Sequence, residues 1–385
     1  MSSRTSHQPG ALLTGCLVAI LALAGCSEVR KPAAPVAGPV ATDPAPTTTG
    51  KPKRLVFITN GDDPFWDALL SGLKEGAKQC ACEAAGFTVA RDVNNGTAEG
   101  QIERLRQYAT QDDVAGVAIS VIQADNQSIA EEMRKLRAKG VQVITVDGDV
   151  NRQTFRDARS HYIGTDNVVG GRTLGTATRA LLEAKGAGDG GYVQFAGFTD
   201  NDNARSRMNG VKEAIGNAYS ERDRMADEMD LPRARDNVRN ATQNHKDLVA
   251  LVGIWAYNAP AIADVLVESG TRDKYVVATF DAQDLAIGHM EKGRIDAMVV
   301  QNPFQMGVQT VRLLKALVEG EPGTVAEMFP RAGQPDGDVH TTGLRVVVPD
   351  AASPVKAALF DPQVVEYMTL PDFKAWLAKY NLTSS

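Results

Sequence analysis

The stretch Thr59-Asn60-Gly61-Asp62-Asp63-Pro64-Phe65-Trp66 follows the apolar run Leu55-Val56-Phe57-Ile58. Asn60 and Asp63 bring hydrogen-bonding groups, and Phe65 and Trp66 bring flat apolar faces. Asp63 reads as a helix N-cap and Pro64 as the first helical residue, where a missing N–H costs nothing. Two rings at a helix start, beside a carboxylate and free backbone donors, make a lip rather than a core face. The chemistry that suits such a lip is recognition of a molecule with apolar C–H faces and hydroxyl edges, which describes a sugar.

Polar residues recur wherever an apolar run ends. Val146 runs into Asp147-Gly148-Asp149, and Ala196 into Gly197-Phe198-Thr199-Asp200-Asn201-Asp202-Asn203-Ala204-Arg205. Trp255 leads to Ala256-Tyr257-Asn258-Ala259-Pro260, Phe280 to Asp281, and Val300 to Gln301-Asn302-Pro303. Each Asp or Asn alone has a structural explanation as a helix cap; the recurrence points to one crevice. The candidate ligand contacts are therefore Asn60, Asp63, Phe65, Trp66, Asp147, Arg205, Tyr257, Asn258, Asp281 and Gln301. Arg205 offers a rigid fork of donors to vicinal hydroxyls, with a surface pair to Asp202 as the alternative. Trp66 opens the helical stripe Trp66, Leu69, Leu70, Leu73, Ala77, so part of it faces the core, and Phe65, off the stripe, is the better platform. Phe198 or Trp255 is a candidate facing ring.

The elements that hold these residues are predicted as strands at 55–59, 88–93, 117–121, 143–146, 192–196, 251–255, 276–280, 297–300 and 344–348, with helical patterns between most of them. Near-continuous apolar strands alternating with helices predict an α/β chain with parallel sheets covered on both faces. Nine such strands suggest two sheets. In open α/β sheets ligands sit beyond the carboxyl ends of the strands, where the polar residues above fall.

Before the first strand, residues 1–26 read as a signal segment: a polar start with Arg4, an apolar run at 11–24, then Leu23-Ala24-Gly25-Cys26. Small residues before a cysteine resemble a bacterial lipobox, which implies cleavage and lipidation at Cys26, with an ordinary signal peptide and an incidental Cys as the alternative. Residues 27–52 are rich in Pro, Ala and Thr and read as an extended tether at about 3.1 Å per residue. The formal net charge of −6 argues against nucleic acid as a partner. Cys80 and Cys82 are too close along one helix to pair without distortion and are expected as thiols, at least one of them buried. No metal or cofactor is expected. The five histidines have no ligand spacing. The run Asp147-Gly148-Asp149-Val150-Asn151 lacks the later parts of a calcium loop. Gly186-Ala187-Gly188-Asp189-Gly190-Gly191 fits a dinucleotide motif in spacing but stands after a helix and before a strand, the reverse of what that chemistry needs.

As an ordered set over about residues 53–349, these motifs resemble the type I periplasmic sugar-binding proteins, the ribose- and galactose-binding group. Asp63-Pro64-Phe65-Trp66 looks like the family's turn of a polar residue, Pro and two aromatics. Asp147 falls at its strand-end Asp. Arg205 matches the Arg of its Ala-Arg-x-Arg segment, here Ala204-Arg205-Ser206-Arg207. Tyr257 or Asn258 corresponds to its Asn-Asp turn, Phe280-Asp281 to its Phe-Asp, and Gln301 to its strand-end Gln. Gly148 departs from the Arg that ribose binders carry there, and the insert at 220–246 has no evident counterpart. The resemblance implies two Rossmann-like lobes, 53–164 with 302–337 and 165–301 with 338–385, joined by crossovers near Gly164, Asn302 and Gly337. It implies a monomeric, lipid-anchored receptor in the periplasm or on the cell surface, which hands a monosaccharide to an ABC permease and is not an enzyme. Two other readings remain: a sugar sensor for a membrane signalling receptor, and an extracytoplasmic carbohydrate enzyme using Asp63, Asp147 and Asp281.

Overall fold

The apolar run Leu55-Val56-Phe57-Ile58 is buried to 0–2% exposure in a strand flanked on both sides within a parallel sheet. A computed structural model describes residues 51–385; the signal segment, Cys26 and all but the last two residues of the tether lie outside the described residues. Strands β1 (Lys53–Ile58), β2 (Phe87–Asp92), β3 (Val114–Ile119), β4 (Gln142–Val146) and β5 (Tyr162–Gly164) alternate with helices α1 (Phe65–Gln79), α2 (Ala98–Tyr108) and α3 (Gln127–Ala138). The chain then builds α4 (Asn167–Lys185), β6 (Gly191–Ala196), α5 (Asp202–Ile215), β7 (Ser220–Ala226), α6 (Leu231–Asn244), β8 (Leu248–Gly253), α7 (Asn258–Glu268), β9 (Val276–Phe280), α8 (Asp284–Glu291) and β10 (Ala297–Val300). It continues through α9 (Pro303–Glu319), α10 (Pro322–Met328), β11 (Val339–Thr341), β12 (Leu344–Val348), β13 (Val365–Thr369) and α11 (Leu370–Lys379).

Two sheets result, in the orders β11-β5-β4-β3-β1-β2 and β13-β12-β10-β9-β8-β6-β7. All pairings are parallel except β10 with β12. In each sheet the order reverses between the first strand and its neighbour, at β1/β3 and at β6/β8. A crevice opens outside the carboxyl ends at such a switch point.

Two sequence expectations change. The chain makes its third passage between sheets at Thr342-Gly343, not near Gly337. Val339–Thr341 pairs with Tyr162–Gly164 and so stays in the first sheet, while Gly337 closes a tight turn with its N–H on Gln334 O at 2.9 Å. The segment 220–246, read as an insert without an evident counterpart, is β7 and α6, an ordinary strand–helix unit. It escapes the apolar pattern because β7 is an edge strand whose residues are half-exposed or exposed.

Glycines set the helix packing. A Cβ on Gly72 of α1 would stand 1.9 Å from Phe304 O of α9, and one on Gly171 of α4 would stand 2.1 Å from Arg207 O of α5. The backbones touch with no side chain between them. Gly171→Ala is therefore expected to lower stability by about 1–3 kcal/mol through overpacking, read as a lower urea midpoint with an unchanged slope. Gly288→Ala on α8, where a Cβ meets open space, is expected to be neutral or stabilising by up to about 1 kcal/mol.

Candidate functional site

The turn after β1 is held from below. Gln101, fully buried, donates from Nε2 to Thr59 O at 3.0 Å and Ser120 O at 2.6 Å, tying the ends of β1 and β3 together. Asn94 Nδ2 donates to Asn60 O at 3.0 Å, which fixes the backbone of Asn60. Asp63 accepts from Phe65 N at 2.8 Å and so caps α1 as its position predicts. Its other oxygen accepts from Gln283 Nε2 at 3.3 Å, a contact between the turn after β1 and the turn after β9. Burial, then the charges of Asp62 and Asp67, raise the Asp63 carboxyl above its ordinary value against these hydrogen bonds. Phe65 is half-buried and stands edge-on to Trp66 at 4.9 Å. Trp66 is 3% exposed and packs on Phe57 at 5.4 Å, in the core of the first sheet. Of the two rings, Phe65 is the one left for a ligand face.

Asp147 and Asp281 follow β4 and β9 and take left-handed backbone angles, φ 64° and φ 61°. Asp is among the residues that tolerate this region. The reversal turns both carboxylates to the same buried place: Asp147 is 9% exposed and Asp281 5%. Asp147 accepts one long bond, from Ser120 Oγ at 3.4 Å. Its carbonyl accepts from the Tyr162 hydroxyl at 3.0 Å, which also reaches Thr165 O at 3.3 Å, across the first passage between sheets. Asp281 accepts from Gln301 Nε2 at 3.1 and 3.3 Å. The Asp281 turn is pinned through reciprocal backbone bonds between Ala282 and Ser385, at 2.9 and 3.1 Å.

Between the carboxylates lies Arg207 of α5, 4% exposed at its side chain, with Nη1 3.9 Å from Asp281 Oδ2. Its Nε donates to Asn167 Oδ1 at 2.8 Å, its Nη1 to Ile254 O at 3.2 Å, and its guanidinium carbon stands 4.1 Å from the centre of the Phe280 ring. Burial pushes the Asp147 carboxyl up to about 6; the Arg207 charge opposes the shift and Asp281 adds to it. Burial likewise raises Asp281, again against Arg207.

Arg205, the arginine expected at the site, is not there. It is exposed and pairs with Asp202 one turn away on the helix surface. The helical period decides this: Ala204, Arg207, Met208 and Val211 form the buried face of α5, and Arg205 lies off it. Tyr257 and Asn258 are also turned aside. The Tyr257 hydroxyl donates to Asp227 Oδ1, and Asn258 Nδ2 to Asp227 Oδ2 at 2.9 Å. Asp227 is fully buried, so these two residues brace the end of β7. No sequence pattern singles out Asp227 at a polar edge strand. Gln301 is at the site, with Nε2 on Asp281 and a buried Oε1 that has no partner among the described residues. The structure thus brings together Asp63, Phe65, Asp147, Asp281 and Gln301, adds Arg207, Ser120, Asn167 and Gln283, and sets Trp66, Arg205, Tyr257 and Asn258 to other work. Among the described residues no cluster of His, Cys, Asp and Glu is placed to hold a metal.

Residues 55–322 match the periplasmic binding protein domain. The D-allose-binding periplasmic protein of Escherichia coli is 22% identical over 67% of this chain and 82% of that protein. The ribose import binding protein of Salmonella typhimurium is 25% identical over 69% of this chain and 84% of that protein. The structure is similar to that of a Burkholderia graminis ABC transporter solute-binding protein in complex with D-arabinose, with a TM-score of 0.65, 24% identity, and 78% of this chain and 97% of that chain covered.

Raised carboxyls oppose folding when ionised. The Asp147 contribution is present below the ordinary Asp value and is lost as pH rises through about 6. Asp147→Asn, which keeps a residue suited to left-handed backbone, is expected to raise stability above pH 6 by on the order of 2–3 kcal/mol. Its urea midpoint is also expected to lose the part of the pH slope between about 4 and 6 that the carboxyl supplies. A variant with the parental slope would place Asp147 in solvent.

Proposed function

Because this chain belongs to the periplasmic binding protein family, we propose that it captures a sugar, a monosaccharide by size class, in the crevice between its two sheets. The observation that carries the reading is the buried group of Asp147 and Asp281, from strand ends of the two sheets, and Arg207, from α5, beside the half-buried ring of Phe65. Carboxylates accept from hydroxyls, the guanidinium donates to ring or hydroxyl oxygens, and the ring covers a C–H face. The names of the relatives, which bind ribose and allose, support the same class.

The crevice is walled by two lobes, 53–164 with 302–337 and 165–301 with the C-terminal segment, and Val339–Thr341 extends the first of them. A ligand touching Asp63 and Asp147 on one side and Arg207 and Asp281 on the other stabilises the closed arrangement by its differential affinity. We assign the chain to the extracytoplasmic side, lipidated at Cys26, acting as a monomer that delivers the sugar to an ABC permease. The sequence Leu23-Ala24-Gly25-Cys26 and the tether support the anchor.

A thermal-shift screen of the full chain against pentoses, hexoses and polyols tests the reading, since a ligand bound only by the native state raises stability by RT ln(1 + [L]/Kd). With the sugar so found, Arg207→Ala is expected to weaken binding by at least about thirtyfold, the loss of a buried charged partner. Arg205→Ala is expected to leave affinity unchanged. The reverse ranking would move the site to the helix surface.

A further inference from the structure

We propose that the sugar carries a protonated amine, with its ammonium held among the carboxylates of Asp63, Asp147 and Asp281. This rests on the reading of the crevice as a sugar site and names the class of sugar.

Charge is the first ground. Three carboxylates face the crevice, and among the described residues Arg207 is the cation that acts on Asp147 and Asp281, while the charges acting on Asp63 are those of Asp62 and Asp67. Arg207 is itself engaged with Asn167 and Ile254 O.

Hydrogen bonding is the second and independent ground. The acceptors are under-supplied. Asp147 has the 3.4 Å bond from Ser120, Asp63 has a 3.3 Å bond from Gln283 on its second oxygen, and Gln301 Oε1, on a residue 3% exposed, is buried without a partner among the described residues. An ammonium supplies three donors and no acceptor. A sugar hydroxyl supplies one donor and leaves the charge where it was.

The third ground is steric. The position after Asp147 cannot provide a second protein cation, because a Cβ on Gly148 would stand 2.5 Å from Val121 O and 3.0 Å from Ser120 Oγ. Among the described residues Arg207 is thus the cation facing Asp147 and Asp281, and an ammonium on the ligand would supply a second.

Isothermal titration of the full chain at pH 7.0 with D-glucosamine, D-galactosamine, their parents D-glucose and D-galactose, and N-acetyl-D-glucosamine tests this. At least one amine is expected to bind about tenfold or more tightly than its parent, and the N-acetyl form, which keeps the nitrogen and loses the charge, is expected to lose that gain. At pH 5.0 the amines stay charged and Asp147, faced by Arg207, Asp281, Ser120 and Tyr162, takes up a proton; the preference is expected to shrink severalfold. Asp147→Asn is expected to shrink it at pH 7.0 while the melting temperature shows the fold intact. Parents that bind as tightly as the amines overturn the inference and leave the sugar reading standing. If none of these compounds and none of the screened pentoses, hexoses and polyols binds, both fall.

Discussion

Burying Asp147 and Asp281 around a single guanidinium sets the terms for everything near them. A carboxylate out of water is costly unless paired and hydrogen-bonded, and here two share one Arg207. The protein holds them in place with backbone. Both stand in left-handed turns at strand ends, and each turn is tied down by a partner distant in sequence: Tyr162 and Ser120 for the first, Ser385 and Gln301 for the second. The geometry of the site is thereby a property of the two sheets rather than of mobile loops, which is what a preorganised binding site requires.

The two halves solve the positioning problem in the same way. In each, a helix that follows a passage between sheets packs backbone to backbone on a helix that opens at the crevice. Helix α4 lies on α5 through Gly171 and Gly210, and α9 lies on α1 through Gly72 and Gly307. The first contact fixes the height of Arg207, whose own carbonyl is the atom Gly171 approaches. The second fixes the helix whose first turn carries Phe65. A displacement of either passage is thus transmitted to the residues gathered at the crevice without any intervening side chain.

Most of the architecture was legible because buried parallel strands leave continuous apolar runs. The strands starting at Leu55, Val143, Tyr192, Val276, Ala297 and Leu344 declare themselves in this way. The missed ones had no run to show. Tyr162–Gly164 and Val339–Thr341 are three residues each, and Ser220–Ala226 and Val365–Thr369 are edge strands with exposed or half-buried residues. At the site, strand-end logic located Asp63, Asp147, Asp281 and Gln301, because the end of a buried strand fixes where the next residue goes. It failed for Arg205, where motif order was followed in place of the helical period that puts Arg207 on the buried face. It failed for Tyr257 and Asn258 because their partner, Asp227, lies thirty residues away on the unrecognised edge strand.

Beneath the crevice, Arg159 shows how a charge is buried when the balance is met. Its side chain is fully buried, with Nε at 2.9 Å and Nη2 at 2.7 Å from Asp149 and Nη1 on Asp338. Burial raises the Asp149 carboxyl, but the hydrogen bonds and charge of Arg159 win and hold it below its ordinary value; the Asp338 carboxyl is lowered in the same way. Asp149 lies two residues beyond Asp147 and Asp338 directly precedes β11, so the same arginine joins the crevice turn to the strand before the last passage between sheets. One buried network has two carboxylates on a cation that bonds both directly, and the other leaves Asp147 with a single 3.4 Å bond. Shortage at Asp147 and sufficiency at Asp149 thus stand two residues apart, set by which guanidinium each carboxylate reaches.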